Sequence, residues 1–149
     1  MFSDPIKNIE QCSIQAGMEI ADLGSGSGAY SLATAKALVS TGKVYAIDIN
    51  KDLLNKLRNE GVKKGLYNIE VIWGDIDKFG GTKLRDYSVD MALLCNILFQ
   101  LENKSEVVKE IKRILKPGGR VLVVDWSDSF GLLHESDVGA SNFLYQSLT

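Results

Sequence analysis

The sequence is poor in the residues that build covalent cross-links and metal sites. It has 2 cysteines, 1 histidine and 2 prolines among 149 residues. Cys12 and Cys95 lie far apart and form no CxxC motif, and His134 is the single histidine. We therefore expect neither a disulfide framework nor a Cys/His zinc site, and we expect no bound metal.

Long apolar runs and a large excess of one charge are also missing. No apolar run reaches the ~18 residues that cross a bilayer. Asp4, Lys7 and Glu10 fall where a signal peptide requires an apolar stretch, so we expect a cytoplasmic protein without a membrane span. The formal net charge is −2, which argues against a protein that mainly neutralises phosphate backbones, and we expect no nucleic-acid partner.

The remaining composition is that of an ordinary globular domain. Hydrophobic residues make up 45% of the chain and charged residues 24%. This length predicts one domain spanning residues 1–149, with a core at 18–126 and a short tail at 127–149.

Short β-branched runs alternate with segments of helical period. The runs predict five strands, at residues 19–23, 44–49, 69–73, 89–95 and 121–126. The periodic segments predict one helix from Gly28 to about Ser40, one from an N-cap at Asn50 to Gly65, and one from Asn103, followed at the third position by Glu106, to Pro117-Gly118-Gly119. This alternation predicts an α/β doubly wound fold, in which helices cover both faces of a mainly parallel sheet and ligands bind at the carboxyl ends of the strands.

A glycine-rich loop follows the first predicted strand. Gly24, Gly26 and Gly28 alternate with serines between this strand and the first helix, which lets the backbone turn tightly and approach a ligand closely. The loop fits a loose dinucleotide fingerprint and a nucleoside-binding loop equally well, and it could also be a tight turn that binds nothing.

Three acidic residues at strand ends separate these alternatives. Asp48 lies about 20 residues after the loop, where a carboxylate accepts hydrogen bonds from ribose hydroxyls, although it could instead be a helix N-terminal acid. Asp22 directly precedes the loop, where it would repel a pyrophosphate but suit an ammonium group. Asp75 closes the third strand and could accept from an adenine amine. Three carboxylates in one hollow suit a cationic nucleoside, and S-adenosylmethionine is such a ligand.

The motifs in their order resemble the class I S-adenosylmethionine-dependent methyltransferases. The resemblance rests on residues 20–28, 46–48, 73–75 and 87–92, and on a run at 114–122 that is similar to the branch of the ubiquinone/menaquinone C-methyltransferases. It extends over residues 20–126. It implies a Rossmann-like methyltransferase fold and S-adenosylmethionine as the cofactor.

The resemblance also implies roles for individual residues. Gly24 and Gly26 would approach the methionine moiety, which Asp22 orients. Asp48 would take the ribose hydroxyls, and Ile49 would pack on adenine. The full expected cofactor-binding set is Asp22, Gly24, Ser25, Gly26, Gly28, Asp48, Ile49, Asp75, Ile76 and Cys95.

The methyl acceptor is less well defined by the sequence. The Asn/Asp-Pro-Pro-aromatic run of enzymes that methylate base amines or amides is absent after the fourth strand, where the chain reads Cys95-Asn96-Ile97-Leu98. We therefore expect a carbon or oxygen acceptor on a small molecule. Cys95 and Asn96 would lie near the transferable methyl group, and Cys95 is interpreted as a small apolar side chain and not as a nucleophile. His134 is a weak candidate for the general base, because a surface histidine is the favoured interpretation. Asp125 and Asp128 are further candidates for the base, but both are expected to be solvated.

The tail is shorter than in this family, which continues with a helix and an antiparallel strand pair. We expect that hairpin to be missing, because residues 136–148 suffice for one short helix or one strand. The strand at 121–126 would then be a sheet edge, covered by the tail or by a second copy in a homodimer. Alternatives are a non-catalytic S-adenosylmethionine-binding scaffold, a truncated inactive methyltransferase and, more remotely, an NAD-dependent oxidoreductase.

Overall fold

The structure is a computed structural model, which describes residues 4–39, 41–125 and 143–147. Its helices are α1 (Pro5–Glu10), α2 (Ala29–Ala37), α3 (Lys51–Lys63) and α4 (Lys104–Ile114), with a 3-10 turn at Leu98–Gln100. Its strands are β1 (Glu19–Leu23), β2 (Lys43–Asp48), β3 (Ile69–Trp73), β4 (Val89–Cys95), β5 (Leu115–Asp125) and β6 (Phe143–Ser147). The sequence did not predict α1 or the 3-10 turn. None of the helices in this part of the chain is both long and apolar enough to traverse a membrane.

The strands form one sheet in the order β3-β2-β1-β4-β5-β6, and every described pair is parallel. The strand order reverses between β1 and β4. Asp22 near the end of β1 lies opposite Ala46 of β2 and Leu93 of β4. The predicted doubly wound fold is therefore confirmed, and its reversal point lies beside Asp22.

Two helices begin at the asparagines that the sequence indicated. Asn50 Oδ1 accepts from Leu53 N at 3.1 Å, and Asn103 Oδ1 accepts from Glu106 N at 3.3 Å. These side chains satisfy amides that have no partner within the helix. The Glu106 carboxylate does not complete a capping box, because it accepts instead from Phe79 N of the β3–β4 loop at 3.1 Å.

The sheet has a separate apolar core on each face. On one face, Ala21 and Leu23 of β1 pack with residues of α4 such as Ile111. On the other face, Ile20 of β1 packs with Leu38, which directly follows α2, and with Ile9 of α1. Neighbouring residues of a strand point to opposite faces, so a continuous apolar strand serves both cores.

The third helix ends earlier than the sequence predicted. α4 stops at Ile114, and Leu115 is already extended and paired with Val89. Proline disfavours the helical conformation of the residue before it, here Lys116, so the helix could not continue as far as Pro117. The strand register shifts between Val89 and Met91, so Pro117-Gly118-Gly119 lies in an irregular start of β5 and not in a turn before it. The second strand also begins one residue earlier than predicted, at Lys43.

The tail adds a sixth strand to the five that the sequence predicted. β6 runs parallel to β5, from Val121 opposite Phe143 to Asp125 opposite Ser147. The sequence predicted that the tail residues suffice for one short helix or one strand, and they form a strand. Because β6 pairs along the edge of β5, that edge is covered by the chain itself.

Candidate functional site

Two adjoining cavities open at the carboxyl ends of the strands. The larger has a volume of about 640 Å³ and the smaller about 100 Å³. The two cavities share five lining residues: Gly24, Asp48, Ile49, Ile97 and Gln100. We treat them as one site with two parts.

Most of the predicted site residues line this site. The larger cavity is lined by Asp22, Gly24, Ser25, Gly26, Asp48, Ile49 and Cys95. The smaller cavity adds Asp75 and Ile76. The three carboxylates of Asp22, Asp48 and Asp75 therefore border one continuous hollow. No group of three or more potential metal-ligating side chains occurs within the described ranges.

The first three amides of the glycine loop, at Gly24, Ser25 and Gly26, are hydrogen-bonded within the protein. Gly24 N and Ser25 N donate to the carbonyl of Ile47 at 2.8 and 3.0 Å. Gly26 N donates to Asp48 Oδ2 at 2.9 Å. A pyrophosphate site requires such amides to point at the ligand. This loop instead presents a carboxylate next to its amides.

Two residues of the loop, Ser25 and Gly26, offer a ligand a polar contact and open space. Ser25 Oγ is buried and has no hydrogen-bond partner in the described structure. Gly26 has φ +54°, and nothing lies within 4 Å of the position that a side-chain carbon would take. Buried polar atoms normally have a partner, so Ser25 Oγ fits a polar group of a ligand in the larger cavity.

Gly28, which the sequence predicted to bind the cofactor, does not line the site. It is buried, it lines neither cavity, and it precedes α2 with φ +87°. A methyl group in its place would overlap Leu57 Cδ1 of α3. Close packing of α2 and α3 therefore explains this glycine without any ligand.

Asp22 is a buried carboxylate with few partners. It is 1% exposed, and its Oδ2 accepts from Ser31 Oγ at 2.7 Å. Burial raises the pKa of Asp22 to about 6; hydrogen bonds from Ser31 oppose this rise, and the charge of Asp48 adds to it. Within the described part of the chain Asp22 forms no salt bridge.

Asp48 and Ile49 form the wall shared by the two cavities. Asp48 also accepts from Asn50 N through Oδ1 at 2.9 Å, so its carboxylate is fixed from both sides. Ile49 is 68% exposed although it is a large apolar residue. Its carbonyl accepts from Trp73 Nε1 at 2.9 Å, which holds this exposed residue in place. An exposed apolar side chain on a cavity wall suits packing on a flat ring.

Cys95 lies between the larger cavity and the core, where it packs against the apolar cluster that contains Cys12. Burial raises the pKa of the Cys95 thiol, and the charge of Asp22 adds to the rise. The thiol therefore stays protonated at neutral pH, in keeping with its interpretation as a small apolar side chain. Asn96 follows with φ +58° and lines the same cavity.

Asp125 is not solvated, contrary to the sequence-based expectation. It is 2% exposed, and Oδ2 accepts from Leu98 N at 3.0 Å. This bond fixes the turn after β4 that carries Ile97 and Gln100 to the cavity. Asp128 and the candidate base His134 lie outside the described residues.

Sequence reasoning missed several lining residues of the larger cavity. These are Pro5, Tyr30, Leu53, Ile97 and Gln100. Ile97 could have been found, because it follows a strand end at the ligand-binding edge. Tyr30 and Leu53 fall within predicted helices, and no pattern indicated that Pro5 or Gln100 would reach the site.

Comparison with known proteins identifies the family of the chain. A sequence model described as a methyltransferase domain matches residues 14–145. A protein of Pseudomonas putida named ubiquinone/menaquinone biosynthesis C-methyltransferase UbiE is 28% identical over 141 residues, which are 94% of this chain and 54% of that protein. The corresponding protein of Burkholderia multivorans is 30% identical over 119 residues, covering 80% of this chain and 47% of that protein.

A solved structure shows the same likeness in three dimensions. The crystal structure of a SAM-dependent methyltransferase from Aquifex aeolicus superposes with a TM-score of 0.70 and 31% identity, covering 78% of this chain and 60% of that one. The chain spans about half the length of the curated relatives it matches. With the family match extending over most of its residues, the chain belongs to the methyltransferase-domain family and, as its motifs implied, to the class I S-adenosylmethionine-dependent methyltransferases related to UbiE.

Proposed function

We propose that the chain binds S-adenosylmethionine and transfers its methyl group to a carbon or oxygen atom of a small molecule. The observation that carries the proposal is Asp22, a buried carboxylate without a salt bridge in the described structure, beside a loop whose amides at Gly24, Ser25 and Gly26 are already bonded. Such a place favours an ammonium group over a pyrophosphate. The cofactor, when bound, supplies a methyl group on a positively charged sulfur, which an acceptor takes by in-line displacement.

The residues present fit this cofactor from one end to the other. Asp22 would bind the α-ammonium group, and Ser25 Oγ offers a buried polar partner at the same end. Asp48 would accept from the ribose hydroxyls, since a carboxylate oxygen can accept a second hydrogen bond. Asp75 and Ile76, in the smaller cavity, would contact the adenine, as would Ile49 from the shared wall.

The chain's contribution to the reaction is alignment. A displacement of this kind gains most from holding the reacting atoms in line and close together. Cys95, Asn96 and Tyr30 line the larger cavity, and we assign this wall to the acceptor side. A base is needed only for an acceptor that must lose a proton, and His134 remains the candidate for that role.

A carbon or oxygen acceptor is supported by the turn after β4. The residues there are Asn96 and Ile97, and the prolines that frame an amine in base and amide methylation are absent. The relatives from Pseudomonas and Burkholderia are named as C-methyltransferases, which agrees with this choice. The net charge of −2 favours a small molecule over a nucleic acid as acceptor.

The NAD-dependent alternative is disfavoured by the glycine loop. Its amides at Gly24, Ser25 and Gly26 are engaged by Ile47 and Asp48. A pyrophosphate placed there would find no free donor among these three and would meet the carboxylate of Asp22.

Calorimetric titration with S-adenosylhomocysteine and with NAD tests the proposal. We expect the former to bind and the latter not to bind. Asp48→Asn should weaken S-adenosylhomocysteine roughly tenfold, whereas Asp52→Asn, an exposed acid that lines neither cavity, should leave it unchanged. Binding of NAD alone would overturn the assignment.

Methyl transfer from labelled cofactor into a cell extract then separates a catalyst from a scaffold. We expect label in the small-molecule fraction; a chain that binds the cofactor but labels nothing would be a scaffold or an inactive fragment. We further infer that residues 1–149 act as one cofactor-binding unit with its core at 18–126, and that it works in the cytoplasm. A homodimer through the β5 edge is not part of the proposal, because β6 already pairs there.

A further inference from the structure

Two glutamates of α4 grip the loop between β3 and β4. Glu110 Oε1 accepts from Gly80 N at 2.8 Å, and its Oε2 accepts from Thr82 N at 3.0 Å and from Thr82 Oγ1 at 2.6 Å. Glu106 Oε2 accepts from Phe79 N at 3.1 Å. Three main-chain amides of segment 79–82 are thus held by carboxylates one helical turn apart. We call Glu106 and Glu110 the α4 clamp.

The stronger half of the clamp is enclosed by the protein. Glu110 is 1% exposed, and Arg113 donates to it through Nε at 2.7 Å and Nη2 at 2.8 Å. Arg113 also donates from Nη1 to Asp86 of the same loop at 2.9 Å. A bidentate, charge-assisted pair with further donors fixes both geometry and orientation.

The clamped segment supports the wall of the smaller cavity. Gly81 lies between the two residues that Glu110 holds, and a methyl group on Gly81 would overlap the carbonyl of Asp75. A methyl group on Gly74 would in turn overlap the carbonyl of Gly81. The backbone of Gly74 and Asp75 therefore rests directly on the clamped segment, and both residues line the smaller cavity.

A second tie joins the same wall to the start of α4. Asp77 lines the smaller cavity, and its Oδ1 accepts from Glu102 N at 3.1 Å and Asn103 N at 3.0 Å. Asp75 Oδ1 accepts from Asp77 N at 2.9 Å. One helix thus fixes the Asp75 wall from two directions.

We propose that Glu110, supported by Arg113 and Glu106, is a positioning residue that sets the base selectivity of the nucleoside site by fixing Asp75. The inference rests on the proposed function, since it takes the smaller cavity as the adenine subsite. An acceptor such as Asp75 distinguishes the amino group of adenine from the carbonyl of hypoxanthine. A site makes that distinction only if the acceptor is held within about 0.5 Å of its place.

The test compares S-adenosylhomocysteine with its hypoxanthine analogue, S-inosylhomocysteine, by calorimetry. The wild-type chain should prefer the adenine ligand. Glu110→Gln should lower that preference by about fivefold, mainly by weakening the adenine ligand, because the hypoxanthine ligand makes no bond that the clamp protects. Glu60→Gln, a change to an α3 glutamate that lines neither cavity, is the matched control and should leave the preference unchanged.

A purely structural role gives a different result. Loss of rigidity throughout the site would weaken both ligands by the same factor, and an unchanged preference in Glu110→Gln would overturn the inference. Glu106→Gln removes a half-buried part of the clamp and should lower the preference about twofold; it carries the test if Glu110→Gln does not fold, and an unchanged preference there has the same meaning.

A double-variant cycle separates action through Asp75 from an independent effect. In an Asp75→Ala background, which removes the acceptor altogether, Glu110→Gln should no longer change the preference. Additive effects would overturn the inference while leaving cofactor binding intact. A wild-type chain that binds neither ligand would instead overturn the proposed function, and with it this inference.

Discussion

Two carboxylates of this fold are equally buried but held in opposite ways. Asp22, beside the glycine loop, and Glu110, behind the β3–β4 loop, are each 1% exposed. Burial raises the pKa of Asp22 to about 6, because the hydrogen bonds from Ser31 do not compensate for it. Burial alone would also raise the pKa of Glu110, but hydrogen bonds from Arg113, Thr82 and the amide of Gly80 outweigh it and lower the pKa to about 2.

The difference separates a structural charge from a charge that can receive a ligand. A buried carboxylate with an internal cation and several donors stabilises its surroundings and has little left to offer. One with few partners is destabilising until a cation arrives from outside. Glu110 thus stabilises the loop behind the smaller cavity, whereas Asp22 stays available to a cation in the larger cavity.

Glu110→Gln should have the largest effect on stability. We expect a loss of about 3 kcal/mol in the free energy of unfolding at pH 7, since the change leaves Arg113 without its main partner. The folded pKa of Glu110 is lower than its ordinary value of 4.5, so its stabilisation is complete above that pH and is lost as the pH falls toward 2. Urea unfolding of the wild-type chain and the variant at pH 7 and pH 3 measures the stability loss and its decrease at low pH.

The control for this variant is Glu60→Gln, which removes an exposed pair with Lys64 at 3.6 Å. It should cost less than about 0.5 kcal/mol. Equal losses in the two variants would contradict the structural role of Glu110.

Asp22→Asn should weaken S-adenosylhomocysteine about 100-fold, because the ammonium group loses its counter-charge. The free chain should instead become more stable, on the order of 2 kcal/mol at pH 8. The folded pKa of Asp22 lies above its ordinary value of 3.8, so the ionised carboxylate destabilises the fold increasingly as the pH rises from 3.8 to about 6. Calorimetry and thermal unfolding give the two quantities.

Asp90→Asn is the control for this variant, with the opposite expected effects on stability and affinity. Asp90 accepts from Glu19 N at 2.8 Å and pairs with Lys116 at 3.3 Å, and it lines neither cavity. The variant should lose stability and keep its affinity. If Asp22→Asn instead lost stability and kept its affinity, as expected for Asp90→Asn, the proposed difference between Asp22 and Glu110 would be wrong.

Gly26→Ala tests the openness of the loop beside Asp22. The added methyl meets no protein atom within 4 Å, and Gly26 lines the larger cavity, so the methyl should obstruct the ligand and weaken it roughly tenfold. Gly65→Ala is matched, with φ +71°, open space and no place in either cavity. Both should lose about 1 kcal/mol of stability through backbone strain, and only Gly26→Ala should lose affinity.

Asp75→Asn should give the smallest effect, a weakening of S-adenosylhomocysteine of about fivefold. The amide keeps an acceptor but loses the charge that strengthens the bond to the adenine amine. Isothermal titration measures this loss beside Asp52→Asn, an exposed acid that lines neither cavity and should keep the wild-type affinity. A loss of 100-fold in Asp75→Asn would show that the base side depends on charge as strongly as Asp22 does.

Much of this arrangement follows from local sequence rules. The caps at Asn50 and Asn103 and the strand Glu19–Leu23 depend on neighbouring residues, and the sequence predicted them correctly. The gathering of Asp22, Asp48 and Asp75 follows from parallel topology alone, because the carboxyl ends of parallel strands meet at one edge.

The parts that sequence reasoning missed depend on distant contacts. Nothing in the spacing of α4 distinguishes Glu110 from a solvated glutamate paired with Arg113, since the amides that it accepts from belong to a loop nearly thirty positions away. The burial of Asp125 could not be predicted either, because Leu98 N, which donates to it, is equally remote in the sequence. Gly28 fitted a ligand-binding pattern, but its packing against Leu57 becomes visible only once α3 is placed.

Proton release on ligand binding tests the central claim most directly. Titration of S-adenosylhomocysteine at pH 6, in buffers of different ionisation enthalpy, counts the protons released when Asp22 must ionise to receive the ammonium group. With a pKa of about 6 the account predicts about half a proton per ligand at pH 6, almost none at pH 8, and none for Asp22→Asn. Tight binding at pH 6 without proton release, or the same release from Asp22→Asn, would contradict it.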